Sequence, residues 1–198
     1  MRKNNNLDAN KKLSEFSTYI DDAYAKRIIL IDREITEESC SEWVTRLILL
    51  DLQTAASKKP IILLINSYGG DMHAALGLSD IIKNCKAPVH TICIGVAQSA
   101  GSILLASGKK RYTVPNAEIM MHCHFAPSEE NLTHYQLVNA TEASTKSINQ
   151  LIQFYIDNTT MTKKKIIECL KKDTFLTSDQ ALEFGLVDEV GWDLLWMK

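Results

Sequence analysis

The chain has 198 residues, 45% of them hydrophobic, enough for one domain with a sizeable core, and 22 basic against 24 acidic residues leave no basic footprint for nucleic acid. Its five cysteines (Cys40, Cys85, Cys93, Cys123 and Cys169) are odd in number and far apart, so they form neither a disulfide framework nor a CxxC motif, which fits a reducing cytoplasm. No window approaches the ~20 apolar residues of a membrane span, and the polar start MRKNNNLDANKKLSEF lacks the apolar run of a secretory signal.

Residues 1–18, rich in Asn and Lys, are expected to be a flexible arm or a removable leader ahead of a single domain over 19–198. Apolar runs of strand length then alternate with helix-like stretches: RIILID (Arg27 to Asp32), EESCSEWVTRLILLDLQTAA, IILLIN (Ile61 to Asn66), DMHAALGLSDIIKNCK and VHTICI (Val89 to Ile94). That alternation predicts an α/β fold, a parallel sheet covered by helices. The small residues GVAQSAG (Gly95 to Gly101) follow the third run and read first as a turn. Two short strands come next, RYTV before Pro115 and EIMMHCHF (Glu118 to Phe125). From about Ser128 to Asn158 the pattern is one long helix, too long for a compact core, with Leu132, Leu137, Ile148, Leu151, Ile152 and Tyr155 as candidate contacts. Thr162 is a candidate N-cap for a second helix; Thr177 and Gln180 have capping-box spacing for a third.

Three places combine reactive residues with loop-like context. In INSYGGD (Ile65 to Asp71) the paired glycines let backbone N–H groups approach a ligand closely at a helix start, although Gly-Gly after a strand is commonly just a turn. In GVAQSAG a strand–serine–helix layout puts the Ser99 hydroxyl at a helix start, with the Ala100 amide free to donate to an oxyanion. The pattern is not GxSxG, which removes the α/β-hydrolase reading. A serine hydroxyl needs a base, and the base needs an orienting group. MMHCH offers His122 and His124, on one face if the segment is a strand, and KKDTF offers Asp173 beside Phe175 and Leu176, a spot for a partly buried carboxylate. Taken singly, each also reads as a surface histidine or a loop acid.

In this order the segments resemble the proteolytic subunits of the ATP-dependent Clp proteases, within the wider ClpP/crotonase fold. INSYGG resembles the family's INSPGG, TICIGVAQSAGSILLASG its TICxGxAASMGAxLLxAG, RYTVPNAEIMMH its RxxLPNxxxMIH, and DTFLTSDQALEFGLVDEV its DRFLSAxEAxEYGLVDxV. The likeness runs from about Tyr19 to Val190. It implies an α/β ClpP/crotonase-like fold with repeated β-β-α units, a globular head and a long handle helix at about 128–158. It also implies Ser99 as nucleophile, His122 rather than His124 as general base, Asp173 as orienting acid, and the Gly70 and Ala100 amides as oxyanion hole, with no metal.

The function implied is a self-compartmentalising, cytoplasmic serine endopeptidase that cleaves unfolded polypeptides delivered by an AAA+ Clp unfoldase. The partners implied are copies of itself in a heptameric ring able to stack as a tetradecamer, and a second ClpP paralogue in mixed rings; neither nucleic acid nor membrane is among them. No cofactor is expected: ATP belongs to the unfoldase, and GxxxxGK[ST] is absent here. The alternatives are a catalytically weak paralogous subunit of a mixed ring and a crotonase-like acyl-CoA enzyme using the same oxyanion hole. The chain departs from the family at HCHFAPSEEN, which replaces a glycine-rich handle strand, at Thr174, where an arginine usually follows the aspartate, and at Ile62 and Leu64, which replace aromatics. Proline and two acids in the handle predict single rings or an easily dissociated double ring.

Overall fold

The computed structural model describes residues 19–53, 59–123 and 133–191. Three apolar runs become β1 (Ile28–Ile31), β2 (Ile61–Ser67) and β3 (Val89–Gln98), paired in parallel. β2 is covered on both faces for most of its length, which is why it reads as nearly continuous Ile and Leu, with Ile61 and Ile65 fully buried. In β1 burial alternates, Ile29 and Ile31 going inward while Ile28 and Leu30 are half-buried.

The helices between them carry their own start signals. In α1 (Glu37–Leu52), Thr36 and Ser39 form a reciprocal capping box, and Cys40, Trp43, Leu47 and Leu50 recur on the face turned to the sheet. In α2 (Met72–Asn84) the Asp71 carboxylate caps the first turn by accepting from Ala74 N–H at 2.7 Å. All seven residues of α3 (Ala100–Ala106) are buried, so this short helix runs through the core.

β3 is longer than its apolar run, and its two halves have different neighbours. His90 to Cys93 pair with β4 (Lys110–Thr113), while Val96 to Gln98 pair with β5 (Glu118–Met121), both in parallel. The register against β2 jumps from Ile65↔Cys93 to Ser67↔Ala97, so β3 holds two more residues than β2 across that step. The Asn66 side chain fills the interrupted ladder, its Oδ1 accepting from Val96 N–H at 3.1 Å. Gly95 to Gln98, read from sequence as a turn, are thus strand. Composition alone missed this because a bulge and a change of partner favour small residues as a turn does.

α4 (His134–Asn158) is a 25-residue helix, about 37 Å long at 1.5 Å per residue. Leu151, Ile152, Phe154 and Tyr155, all in its last third, are its buried residues, and Tyr135, Leu137 and Val138 near its start are exposed. A head carries a projecting handle helix. The helix begins at His134 rather than near 128, because Thr133 and Gln136 close a capping box and Thr133 is extended. Leu137 is 48% exposed and is not a core contact; Leu132 and the segment from His124 to Asn131 lie outside the described residues.

After α4 come α5 (Lys163–Leu170), capped by Thr162, and α6 (Ser178–Glu183), where Thr177 and Gln180 form a capping box. β6 (Thr174–Leu176) pairs antiparallel with β5, and β7 (Glu189–Val190) pairs with β4. The sheet order is β1–β2–β3–β4–β7, with β5 and β6 branching from β3. Among the described residues no helix is long and apolar enough to cross a membrane.

Arg111 on β4 ties the handle to the head. Its guanidinium donates to the carbonyl oxygens of Asn158, at the end of α4, and Gly185, and it pairs with Asp188. Burial alone would raise the Asp188 carboxyl, but the hydrogen bonds and charge of Arg111 outweigh it and hold it below the ordinary carboxylate value. A lowered native value means the pair stabilises the fold fully above the unfolded carboxylate value of ~3.9, and the contribution is lost as pH falls through the native value. Asp188 is 41% exposed, so screening makes the effect modest. Asp188→Asn is therefore expected to lower the thermal midpoint at neutral pH, and the gap to the unmodified chain should close below about pH 4. A gap that persists unchanged into acid would show that the carboxylate charge is not what stabilises.

Candidate active site

The branch in the sheet assembles the site. Ser99 follows β3, and its N–H continues the β3–β5 ladder by donating to Met120 O at 2.8 Å, so it lies beside the end of β5. His122 is the next residue after β5, not inside a strand reaching Phe125 as expected: β5 ends at Met121. Met121 faces Thr174 in the antiparallel β5–β6 register, which brings Asp173 alongside His122. Three segments far apart in sequence are thus fixed by backbone pairing, and among the described residues His122 is brought to Ser99.

The three side chains form one hydrogen-bonded chain. His122 Nε2 is 2.8 Å from Ser99 Oγ, and His122 Nδ1 is 2.8 Å from Asp173 Oδ1. A neutral imidazole satisfies both contacts with its proton on Nδ1, donated to the carboxylate, leaving Nε2 to accept from the serine hydroxyl. His122 is 20% exposed and Asp173 51%. The expected partial burial of the carboxylate is corrected, because Phe175, the apolar neighbour that would cover it, is itself 54% exposed.

Ser99 sits at φ 51° and ψ −120°, a backbone region that costs a non-glycine residue roughly 1–3 kcal/mol. It occupies the N-cap position of α3, yet its side chain makes no capping bond. The hydroxyl is committed to the imidazole instead.

Opposite Ser99, the turn after β2 is pinned by main-chain bonds. Ile35 N–H donates to Gly69 O at 2.8 Å, Asp71 N–H to Ile35 O at 2.7 Å, and Gly69 N–H to Ser67 Oγ at 3.1 Å. Among the described residues the Gly70 and Ala100 N–H groups donate to nothing, and both residues border the cleft that holds Ser99 and His122. Gly70 lies at φ +142°, and a Cβ there would fall 2.2 Å from Ile35 O. Gly69 lies at φ +102°, where a Cβ would fall 2.7 Å from Ser99 Cβ and 2.6 Å from Gln98 O. Gly69→Ala must push Ser99 away or deform the turn, and a misplacement of about 1 Å can cost ~10²-fold in rate. Peptide turnover is expected to fall by about that factor while the helical circular dichroism signal is retained; unaltered turnover would mean that the turn yields without moving Ser99.

Met72, Ile103 and Leu151 give the cleft apolar walls, and Cys123 and Tyr155 also border it. Burial pushes the Cys123 thiol up, so it stays protonated rather than offering a competing thiolate. Among the described residues no group of three or more His, Cys, Asp or Glu is arranged to hold a metal ion. Sequence reasoning gave no role to Ile35 and Ser67, which pin the glycine turn, or to Ser102 beneath Ser99. Ser67 and Ser102 reach their neighbours Gly69 and Ser99 locally. They are held in turn by contacts across 34 or more residues, Ser67 Oγ donating to Arg33 O and Ser102 Oγ meeting Tyr155, as Ile35 is to the glycine turn, and no local pattern announces those.

A family model described as Clp protease matches residues 11–193.

Proposed function

The chain belongs to the Clp protease family and is a ClpP-like peptidase, and on that premise we propose that it is a serine endopeptidase whose nucleophile is Ser99. The observation that carries the reading is the unbroken chain from Ser99 Oγ through His122 to Asp173, with both contacts at 2.8 Å. Ser99 Oγ attacks the scissile carbonyl carbon while His122 Nε2 takes its proton. The carbonyl oxygen becomes an oxyanion held by the Gly70 and Ala100 N–H groups, and Asp173 stabilises the imidazolium. Collapse breaks the C–N bond as His122 returns the proton to the leaving amine; water then cleaves the Ser99 ester by the same steps in reverse. The apolar cleft walls favour an apolar side chain next to the bond cut.

We assign its substrates to unfolded polypeptides and its delivery partner to an AAA+ Clp unfoldase that spends the ATP. The working form is a heptameric ring of this chain, alone, stacked, or mixed with a paralogous subunit, and the compartment is the cytoplasm. These assignments rest on family membership; the exposed apolar start of the handle, with Tyr135 81% exposed, supports the assembly alone. The test is reaction of the assembled protein with a fluorophosphonate, followed by peptide mass spectrometry. The adduct is expected on Ser99 and should disappear in Ser99→Ala; an unlabelled Ser99 in an assembled ring would overturn the reading.

A further inference from the structure

Below Ser99 a second serine joins the handle to the nucleophile's own peptide group. Ser102 Oγ donates to the Ser99 carbonyl oxygen at 2.7 Å, and Ser102 N–H donates to the same oxygen at 3.0 Å. The Tyr155 hydroxyl, on α4, is 2.7 Å from Ser102 Oγ. Ser102 has one hydroxyl proton and gives it to Ser99 O, so Tyr155 is the donor in the second bond. Both side chains lie in the core, Ser102 at 0% and Tyr155 at 1% exposure. Burial raises the Tyr155 phenol far above its ordinary value, against the opposing pull of the Ser102 bond, so it remains a protonated donor at working pH.

The carbonyl that receives these bonds belongs to the Ser99–Ala100 peptide unit, whose other end is the Ala100 N–H. Donation to a peptide oxygen draws electron density from the nitrogen and makes the N–H a stronger donor, an increment of about 10–30% per bond. It also fixes the peptide plane, and so the direction of the N–H. We propose that Ser102 and Tyr155 are positioning residues that orient and polarise the Ala100 oxyanion donor, making the handle helix part of the machinery that stabilises the transition state. This inference rests on the serine peptidase reading above. It has a directional consequence: a shift of α4 at Tyr155 loosens the oxyanion hole without touching the Ser99–His122–Asp173 chain.

The relay acts where negative charge develops, so its loss should appear in kcat and not in KM. Losing an oxyanion donor outright costs ~10²–10³ in rate; weakening one through its peptide is a smaller change, about tenfold for Ser102→Ala. Tyr155→Phe keeps the ring and the packing and removes one oxygen, and should lower kcat about threefold, since it weakens the Ser102 bond without deleting it. The double variant should be no slower than Ser102→Ala, because both act through one path. A peptide boronate, whose tetrahedral adduct places an oxygen in the hole, should lose affinity in step with kcat, while KM for a short peptide stays within about twofold.

The experiment is steady-state peptide hydrolysis, boronate inhibition and fluorophosphonate labelling of the full chain and the three variants. Unchanged kcat with unchanged boronate affinity in Ser102→Ala would overturn the relay, as would a fall in kcat with no loss of boronate affinity. Should Ser102→Ala fail to fold, Tyr155→Phe decides on the same two readouts. If Ser99 of the unmodified chain is not labelled, the peptidase reading falls and takes the relay with it; labelled Ser99 with unaltered variants removes the relay alone.

Discussion

Ser99→Ala is expected to lower peptide turnover by on the order of 10⁶-fold, the loss that follows removal of a triad serine, leaving only the residual ~10³–10⁴ over water that binding and the oxyanion hole supply. The fold should survive. Alanine keeps the Cβ and meets the same backbone strain at φ 51°, and the hydroxyl caps nothing in α3. Among the described residues the bond lost is the one to His122, a ring 20% exposed and still held by Asp173. Thermal denaturation of the variant should therefore overlay the unmodified chain within a few degrees, ~1 kcal/mol being worth about 2–4 °C at this size. Turnover near the unmodified rate in a clean preparation would show that another group attacks the substrate.

Asp173→Asn is expected to be the next most damaging change, with kcat falling towards ~10⁴-fold. An amide in place of the carboxylate can turn its NH₂ towards His122 Nδ1, which then accepts, and the ring proton moves to Nε2, where it faces the Ser99 hydroxyl instead of receiving its proton. Asp173 is 51% exposed, so water stands in for part of the lost acceptor and the fall should stop short of the fully buried case. Assembly and the thermal midpoint should change little for the same reason. A rate within tenfold of the unmodified chain would mean that another acceptor orients the imidazole.

The parts of the fold legible in sequence are those whose physics is local or whose burial is total. β2 announces itself because a parallel strand covered on both faces leaves no polar alternation to blur the run, and β1 because even its half-buried positions, Ile28 and Leu30, are apolar. The Thr162 cap and the Thr177–Gln180 box are visible because capping is a contact across three residues. The Thr133–Gln136 box has the same spacing, yet the polar stretch before it masked the helix start. The short strands β6 and β7 carry no period of their own and exist only through pairing with β5 and β4.

The candidate site divides along the same line. Gly69, Gly70, Ser99 and Ala100 sit in turn chemistry that points to close approach of a ligand, and the family likeness singles out His122 and Asp173. Local reasoning does not choose between His122 and His124; His122 reaches Ser99 because it follows the end of β5 at Met121, which pairs with Thr174, while His124 lies outside the described residues. Asp173's exposure was missed because the apolar pair after it divides, Leu176 going inward and Phe175 outward. Ser102 and Tyr155, 53 residues apart, leave no local trace of their bond.

The antiparallel closure of β6 on β5 also sets a schedule. As the chain is synthesised, the serine and the imidazole both exist 51 residues before the carboxylate that gives the imidazole its tautomer. Between them comes the whole of α4, and no growing chain that stops short of β6 can hold Asp173 in place. Long-range strand pairing of this kind is slow to form and comes after local structure. On the proposed triad, the nascent chain lacks its orienting carboxylate until β6 pairs with β5, so a half-made copy carries the serine and the imidazole without the group that completes them.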